Sequence, residues 1–179
     1  MRETISGIFA FFYVIGLFAQ KPCPAVDSIV KEMAREGKVS GSRIKTGLSS
    51  RLEVDSQYLR YEVLQRCAGE TELIRLLGHD STVVVAFAWK AYLLRQPVQA
   101  LHFMLHNKES LRTKWVRHFL NLCQGTVRKR LLDYMEYELY DKLLAGEFTL
   151  PAEEIVEFLR FREARQRQRA ALKEYGDGF

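Results

Sequence analysis

Val83-Val84-Val85-Ala86-Phe87-Ala88-Trp89-Lys90-Ala91-Tyr92-Leu93-Leu94 is the stretch that decides the fold. Its opening valines favour a strand, because β-branched side chains fit a pleated surface. Its length, and the alanines at 86, 88 and 91, favour a helix, since buried strands rarely exceed roughly eight residues. The pattern predicts one helix that begins after Ser81 and is apolar on every side, which places it in the interior.

Outward from this run the chain continues to read as helices. Tyr58, Leu59, Tyr61, Val63 and Leu64 lead to Cys67, and Glu72 to Leu77 is a short helix stopped at Gly78. Pro97 occupies a first-turn position and opens Val98 to His106. Leu111 to Leu122 reads as a helix with Trp115, Val116, Phe119 and Leu120 on one face. Val127 to Leu144 reads as a longer amphipathic helix whose polar face carries Tyr134 and Tyr137. Pro151 begins a last helix with Glu153 and Glu154 in its favourable first turn, and beyond Arg162 it is expected to outrun the core and fray. On the N-terminal side, Asp27 to Arg35 is helical and Gly37 stops it. Lys38 to Ser50 reads as a loop with one helical turn near Ile44. No strand is expected, so the fold class is all-α.

Acidic residues paired with serine precede three of these helices: Asp55-Ser56, Asp80-Ser81 and Glu109-Ser110. Each serine hydroxyl is expected to accept from orphan backbone N–H groups at a helix start. The starts recur at the period of stacked two-helix units. The segment Glu72 to Leu93 resembles a HEAT repeat. Leu73, Ile74, Leu76 and Leu77 resemble its first helix, Gly78-His79-Asp80 its tight turn, and Val84, Ala88, Ala91 and Leu93 its second helix. In that family an Asp near the turn and an Arg five residues later form a ladder between units. Asp55 with Arg60 has this spacing and Glu109 with Lys114 keeps the charges, whereas the middle unit offers Val85 opposite Asp80. The resemblance covers roughly residues 48–122 and implies a short α-solenoid of HEAT-like helix pairs with a long C-terminal helix.

Residues 1–19 read differently. Arg2 precedes an apolar run from Ile5 to Ala19, shorter than the ~20 residues that cross a bilayer. This matches a secretory signal peptide, with cleavage between Ala19 and Gln20. Retention as a membrane anchor through residues 5–19 is the alternative, and a buried core helix is a third. The organisation expected is therefore a signal peptide over 1–19, an N-terminal helix and loop over 20–50, and a helical-repeat domain with a C-terminal helical extension over 51–179. The location expected is periplasmic or secreted, with membrane contact only through an uncleaved N-terminus. Three cysteines, Cys23, Cys67 and Cys123, permit one disulfide, and the sequence does not assign it.

The 179 residues are 47% hydrophobic and 27% charged, ordinary for a globular chain and too apolar for disorder. The formal net charge is +5, with basic residues clustered at 112–118, 128–130 and 160–173. Most such faces are merely solvated, and acidic residues dilute the last cluster.

Chemistry is sparse. There is no G-x-S-x-G, no glycine-rich phosphate loop and no Cys–His signature. Glu136 and Asp141 do not share a helical face, which weakens a paired-acid reaction. His102 and His106, four apart, share a face and are the weak candidates for a metal, although the glutamate of a metalloprotease helix is missing between them. No cofactor is expected.

The function these features favour is an exported helical-repeat module or envelope scaffold that binds a protein partner and has no catalytic site of its own. Arg112, Trp115, Arg117, Tyr134 and Tyr137 are the contact residues expected, because tyrosine, tryptophan and arginine combine contact area with a polar end. If the N-terminus does not direct export, a basic helical-repeat protein binding nucleic acid is the alternative. A metal-dependent envelope hydrolase using His102 and His106 is the third.

Overall fold

A computed structural model describes residues 25–40, 44–46, 52–120 and 125–176. The signal peptide expected over 1–19, its Ala19–Gln20 junction, Cys23 and Cys123 lie outside the described residues. The order of elements is α1 (Val26–Glu36), β1 (Val39–Ser40), β2 (Ile44–Thr46), β3 (Leu52–Val54), α2 (Ser56–Cys67), α3 (Glu70–Leu77), α4 (Thr82–Arg95), α5 (Pro97–His106), α6 (Lys108–Thr113), β4 (Trp115–Leu120), β5 (Gly125–Arg130), α7 (Leu131–Leu144) and α8 (Ala152–Gly176). Helices dominate. No helix among the described residues is long and apolar enough to cross a membrane.

The Val83–Leu94 run is helical. α4 spans about 21 Å, and every residue from Val83 to Leu93 is buried. It touches α1, α2, α3, α5, α7, β1 and β4. Enclosure on all sides outweighs the slight helix penalty of its three valines, because each buried aliphatic side chain is worth about 1.5–3 kcal/mol. Phe87 stacks on Tyr61 of α2, with ring centroids 5.5 Å apart. Trp89 donates its indole N–H to the Ala100 carbonyl of α5 at 3.0 Å. At its C-terminal end Arg95 donates to the carbonyls of Ala68 and Gln65. α3 stops at Gly78, as expected from the sequence, and packs against α4.

Three expectations are corrected. The helix expected over Leu111–Leu122 ends at Thr113, and Trp115–Leu120 is a strand instead. The helix expected from Val127 begins at Leu131, and Gly125–Arg130 is the antiparallel partner of β4, from Trp115↔Arg130 to Leu120↔Gly125. The stretch 38–50, expected to be loop with a helical turn at Ile44, carries β1 and β2. β1 pairs parallel with β4 (Val39↔His118), and β2 pairs antiparallel with β3. The fold is thus mostly helical, in rough agreement with the all-α class, but against the expectation of no strand it carries a three-stranded sheet, order β1-β4-β5, and a two-stranded one. The physical reason lies in the period. Trp115 and Arg117 are exposed while Val116 and His118 are buried, the two-residue alternation of a half-covered strand. Short apolar runs fit both periods, and the covering helices choose.

The helix starts also differ from expectation. Asp55, not Ser56, caps α2: its carboxylate accepts from the backbone N–H of Gln57 (2.8 Å) and Tyr58 (3.2 Å). Ser81 precedes α4 without a side-chain cap and donates its own N–H to His79 Nδ1, while Ser110 lies inside α6. Arg60 reaches Glu36 of α1 at 2.5 Å. Buried Gln57 donates to the Met33 and Lys38 carbonyls, fastening α2 to the end of α1.

α8 stays attached beyond Arg162. Phe158 is buried, and Arg162, Arg165 and Arg169, on one face, meet Asp133 and Glu136 of α7.

Truncating Phe87 tests the centrality of α4. Phe87→Ala is expected to cost about 3–5 kcal/mol in urea unfolding. A loss below about 1 kcal/mol would mean the ring is not enclosed.

Candidate partner-binding face

The β4–β5 hairpin separates two environments. Its outer face presents Trp115, Arg117, Arg128 and Arg130, and its inner face turns Val116 and His118 toward the helices. Two hydrogen bonds and a strand pairing hold it in place: the Leu131 N–H donates to the Lys114 carbonyl at 2.9 Å, the Thr82 hydroxyl of α4 donates to the Trp115 carbonyl at 2.8 Å, and β1 pairs along the free edge of β4.

Trp115 is 40% exposed, unusual for so large an apolar ring. The Arg130 guanidinium carbon lies 3.9 Å from its ring centroid and that of Arg128 at 5.0 Å. Each such contact is worth about 0.5–1 kcal/mol at an exposed site. Arg117 stands directly across from Arg128, a like-charged pair that disfavours the hairpin. Among the described residues no carboxylate lies within ion-pair distance of Arg117, Arg128 or Arg130.

The positive surface continues onto the helices. Arg112, Arg130, Asp133, Arg165, Gln168 and Arg169 line an open cleft of about 310 Å³. Beside it Arg162, Arg165 and Arg169 share the two carboxylates of Asp133 and Glu136, so the cluster keeps an excess positive charge. A neighbouring cleft shares Asp133 and Arg169 and adds Lys129 and Tyr137. Tyr137 is 52% exposed, with the Lys129 ammonium 4.9 Å from its ring centroid.

Four of the five expected contact residues are thus exposed: Trp115 and Arg117 on the outer face of the hairpin, Arg112 in the cleft beside Arg130, and Tyr137 in the neighbouring cleft. Tyr134 is not. It is wholly buried, its ring edge-on to His118 at 5.4 Å. Helical spacing explains this, since Leu131, Tyr134, Met135, Glu138 and Leu139 fall on one inward stripe of α7. Burial raises the Tyr134 phenol well above its usual pKa, with the Glu138 charge adding to the effect.

Sequence reasoning missed a buried ion pair. Lys90 Nζ lies 2.8 Å from Glu138 Oε2, both almost fully buried, tying α4 to α7. The Lys90 ammonium also lies 5.4 Å from the Tyr61 ring centroid. The signal was present, because Lys90 is the single charge in the Val83–Leu94 run. The pair floors a polar cleft of about 370 Å³ whose rim carries a second pair, Lys142–Glu147 at 2.5 Å. Each cation of this cleft already has an acid, so the arrangement reads as a clasp between helices.

His102 and His106 do not converge. Their rings are 6.4 Å apart, and His106 Nδ1 bonds the His102 carbonyl at 2.9 Å. His102 Nε2 instead meets both oxygens of Glu154, at 3.0 and 3.1 Å, joining α5 to the start of α8. Among the described residues His102, Glu154 and Glu157 can bring donor atoms within 4.8 Å of one another. His102 is partly exposed, and its contact with Glu154 is a hydrogen-bonded pair that joins the two helices. Cys67 is disulfide-bonded.

No protein-family model, curated protein or solved structure matches the chain.

Glu138→Ala strands a buried ammonium and is expected to cost about 3–5 kcal/mol, whereas the Lys90→Met/Glu138→Leu double substitution costs less than that single change. Urea unfolding of both variants measures this. A Glu138→Ala variant within about 1 kcal/mol of wild type would place Lys90 in contact with water.

Proposed function

We propose that the chain is an exported binding module that holds an acidic protein partner against the outer face of the β4–β5 hairpin. The observation that carries this reading is Trp115, exposed and flanked by Arg128 and Arg130, in line with Arg117 and the arginine-rich cleft of α7 and α8. Tryptophan and arginine dominate the energetics of interfaces, and a face that is self-repulsive when bare gains by meeting carboxylates. An acidic surface would relieve the Arg117–Arg128 repulsion and leave the indole as a central anchor.

The scaffold behind this face is, in this reading, a short HEAT-like array in which α3–α4 is the clearest helix pair. The return of α3 onto α4 across Gly78 supports it. The disulfide at Cys67 and the apolar segment 5–19 support export, because disulfides persist in oxidising compartments. The function requires no catalytic step and no cofactor.

The arginine excess also favours a second reading, in which the same face holds nucleic acid. Against it, Arg130 already covers an indole face on which a base would stack.

A polyglutamate peptide and a single-stranded oligonucleotide of equal charge separate the two. The peptide is expected to bind the chain more tightly than the oligonucleotide. Arg128→Glu/Arg130→Glu is expected to weaken peptide binding at least about tenfold with the fold intact, as removing charged contacts of about 1–2 kcal/mol implies. Tighter oligonucleotide binding would move the assignment to nucleic acid, and an unchanged affinity in the variant would remove this face from either.

A further inference from the structure

His118 lies beneath the proposed binding face, on the inner side of β4. It is 7% exposed, and neither ring nitrogen has a hydrogen-bond partner among the described residues. Buried imidazoles ordinarily bond through at least one nitrogen, so both orphans demand an account. The groups around the ring make its charged form still less welcome. Lys129 faces it from β5, Lys90 from α4, and Tyr134 and Glu138 from α7. β1 contributes Val39, its register partner, and buried Ser40. Glu138 is the one anion of the set, and Lys90 already holds it at 2.8 Å. An imidazolium here would be desolvated and repelled by both ammonium groups.

We propose that His118 is an acid-sensitive latch: protonating its ring unseats the β4–β5 hairpin from α4 and α7 and dismantles the face the hairpin carries. The neutral ring packs against Tyr134 and is tolerated. The charged ring needs water, which it reaches only when the hairpin lifts. Trp115, Arg117, Arg128 and Arg130 then lose their common plane. Acid therefore releases the partner, a consequence that rests on the function proposed above; the latch itself does not.

The sign follows from linkage. Burial, reinforced by Lys129, lowers the pKa of seated His118 below its ordinary value of 6.5. An unseated ring binds its proton nearer that ordinary value. The seated form thus keeps its full advantage above about pH 6.5 and loses it as the pH falls below. The seated-to-unseated ratio drops by up to about tenfold per pH unit until the seated ring itself titrates.

Native-state hydrogen exchange of the full chain between pH 7.5 and 5.0, corrected for intrinsic rates, reads this ratio directly. Protection of the β4 and β5 amides is expected to fall by up to about tenfold per unit below pH 6.5, while the α4 amides hold theirs. His118→Phe, similar in volume and unable to take a proton, is expected to abolish the pH dependence. Lys129→Ala provides a check that does not rest on refilling the core: by removing a repelling charge it brings the seated pKa closer to the ordinary value, so the loss still begins near pH 6.5 but levels off sooner and is smaller in total. Hairpin protection that stays flat in the wild type, or falls alike in His118→Phe, overturns the latch. Either result leaves the binding assignment standing. Failure of the charge-reversed hairpin to lose affinity at neutral pH overturns the binding assignment and leaves the latch.

Discussion

The whole molecule depends on burying α4 from every direction. A helix that is apolar all round has no face to offer water, so each neighbour must close one of its sides, and five helices and two strands do so. The consequence reaches down to single residues. The one charge on this helix, Lys90, could be accommodated only by bringing an acid inside, and Glu138 is that acid. Because a buried cation without its partner is so costly, the ion pair fixes the position of α7 relative to α4. The indole of Trp89 fixes α5 in the same manner through its bond to Ala100.

The hairpin is the other half of this arrangement. One side of it is needed to cover α4 and α7, and it supplies Val116 and His118 for that purpose. The other side is largely open, bordered only by the cleft at Arg130, and there the sequence places tryptophan and arginine. The structural and recognition roles are therefore divided across the thickness of a single β-ribbon, with the two-residue alternation separating them. It follows that anything disturbing the inner face is transmitted to the outer one, since both belong to the same backbone. The arginines of α8 extend the same surface: Arg165 and Arg169 are held by Asp133 and Glu136, which orders them without cancelling their charge.

The helical part of the fold was legible because its punctuation is strong. Gly37 adopts a left-handed conformation at the end of α1, Pro97 opens α5, and Pro151 precedes α8, each with a local physical cause that tertiary structure does not override. The long apolar run was legible through its length. The strands were not, because Trp115–Leu120 satisfies a helical spacing as well as an alternating one, and only the covering helices distinguish the two. The site was partly legible for the same reason. Arg112, Trp115, Arg117 and Tyr137 were picked by residue type, and the structure leaves all four exposed, Trp115 because it lies on a strand and not on the packed face of a helix. Tyr134 was misplaced because its phenol suggested a polar face, although its spacing from Leu131 and Glu138 puts it on the same inward stripe as Met135 and Leu139. Arg128 and Arg130 were seen as a charge run, but their stacking on Trp115 depends on a strand pairing that local sequence does not announce. His118 and Glu138 carry no local signature at all; their character comes from what surrounds them.

The two tryptophans give the most direct test, since one marks the enclosed helix and the other the outer face of the hairpin. Acrylamide quenching of Trp115→Phe reports Trp89 alone, and quenching of Trp89→Phe reports Trp115. The account predicts a blue-shifted, nearly unquenchable emission in the first variant and a readily quenched one in the second. Equal quenching of both, or a solvent-like emission from Trp89, would contradict it.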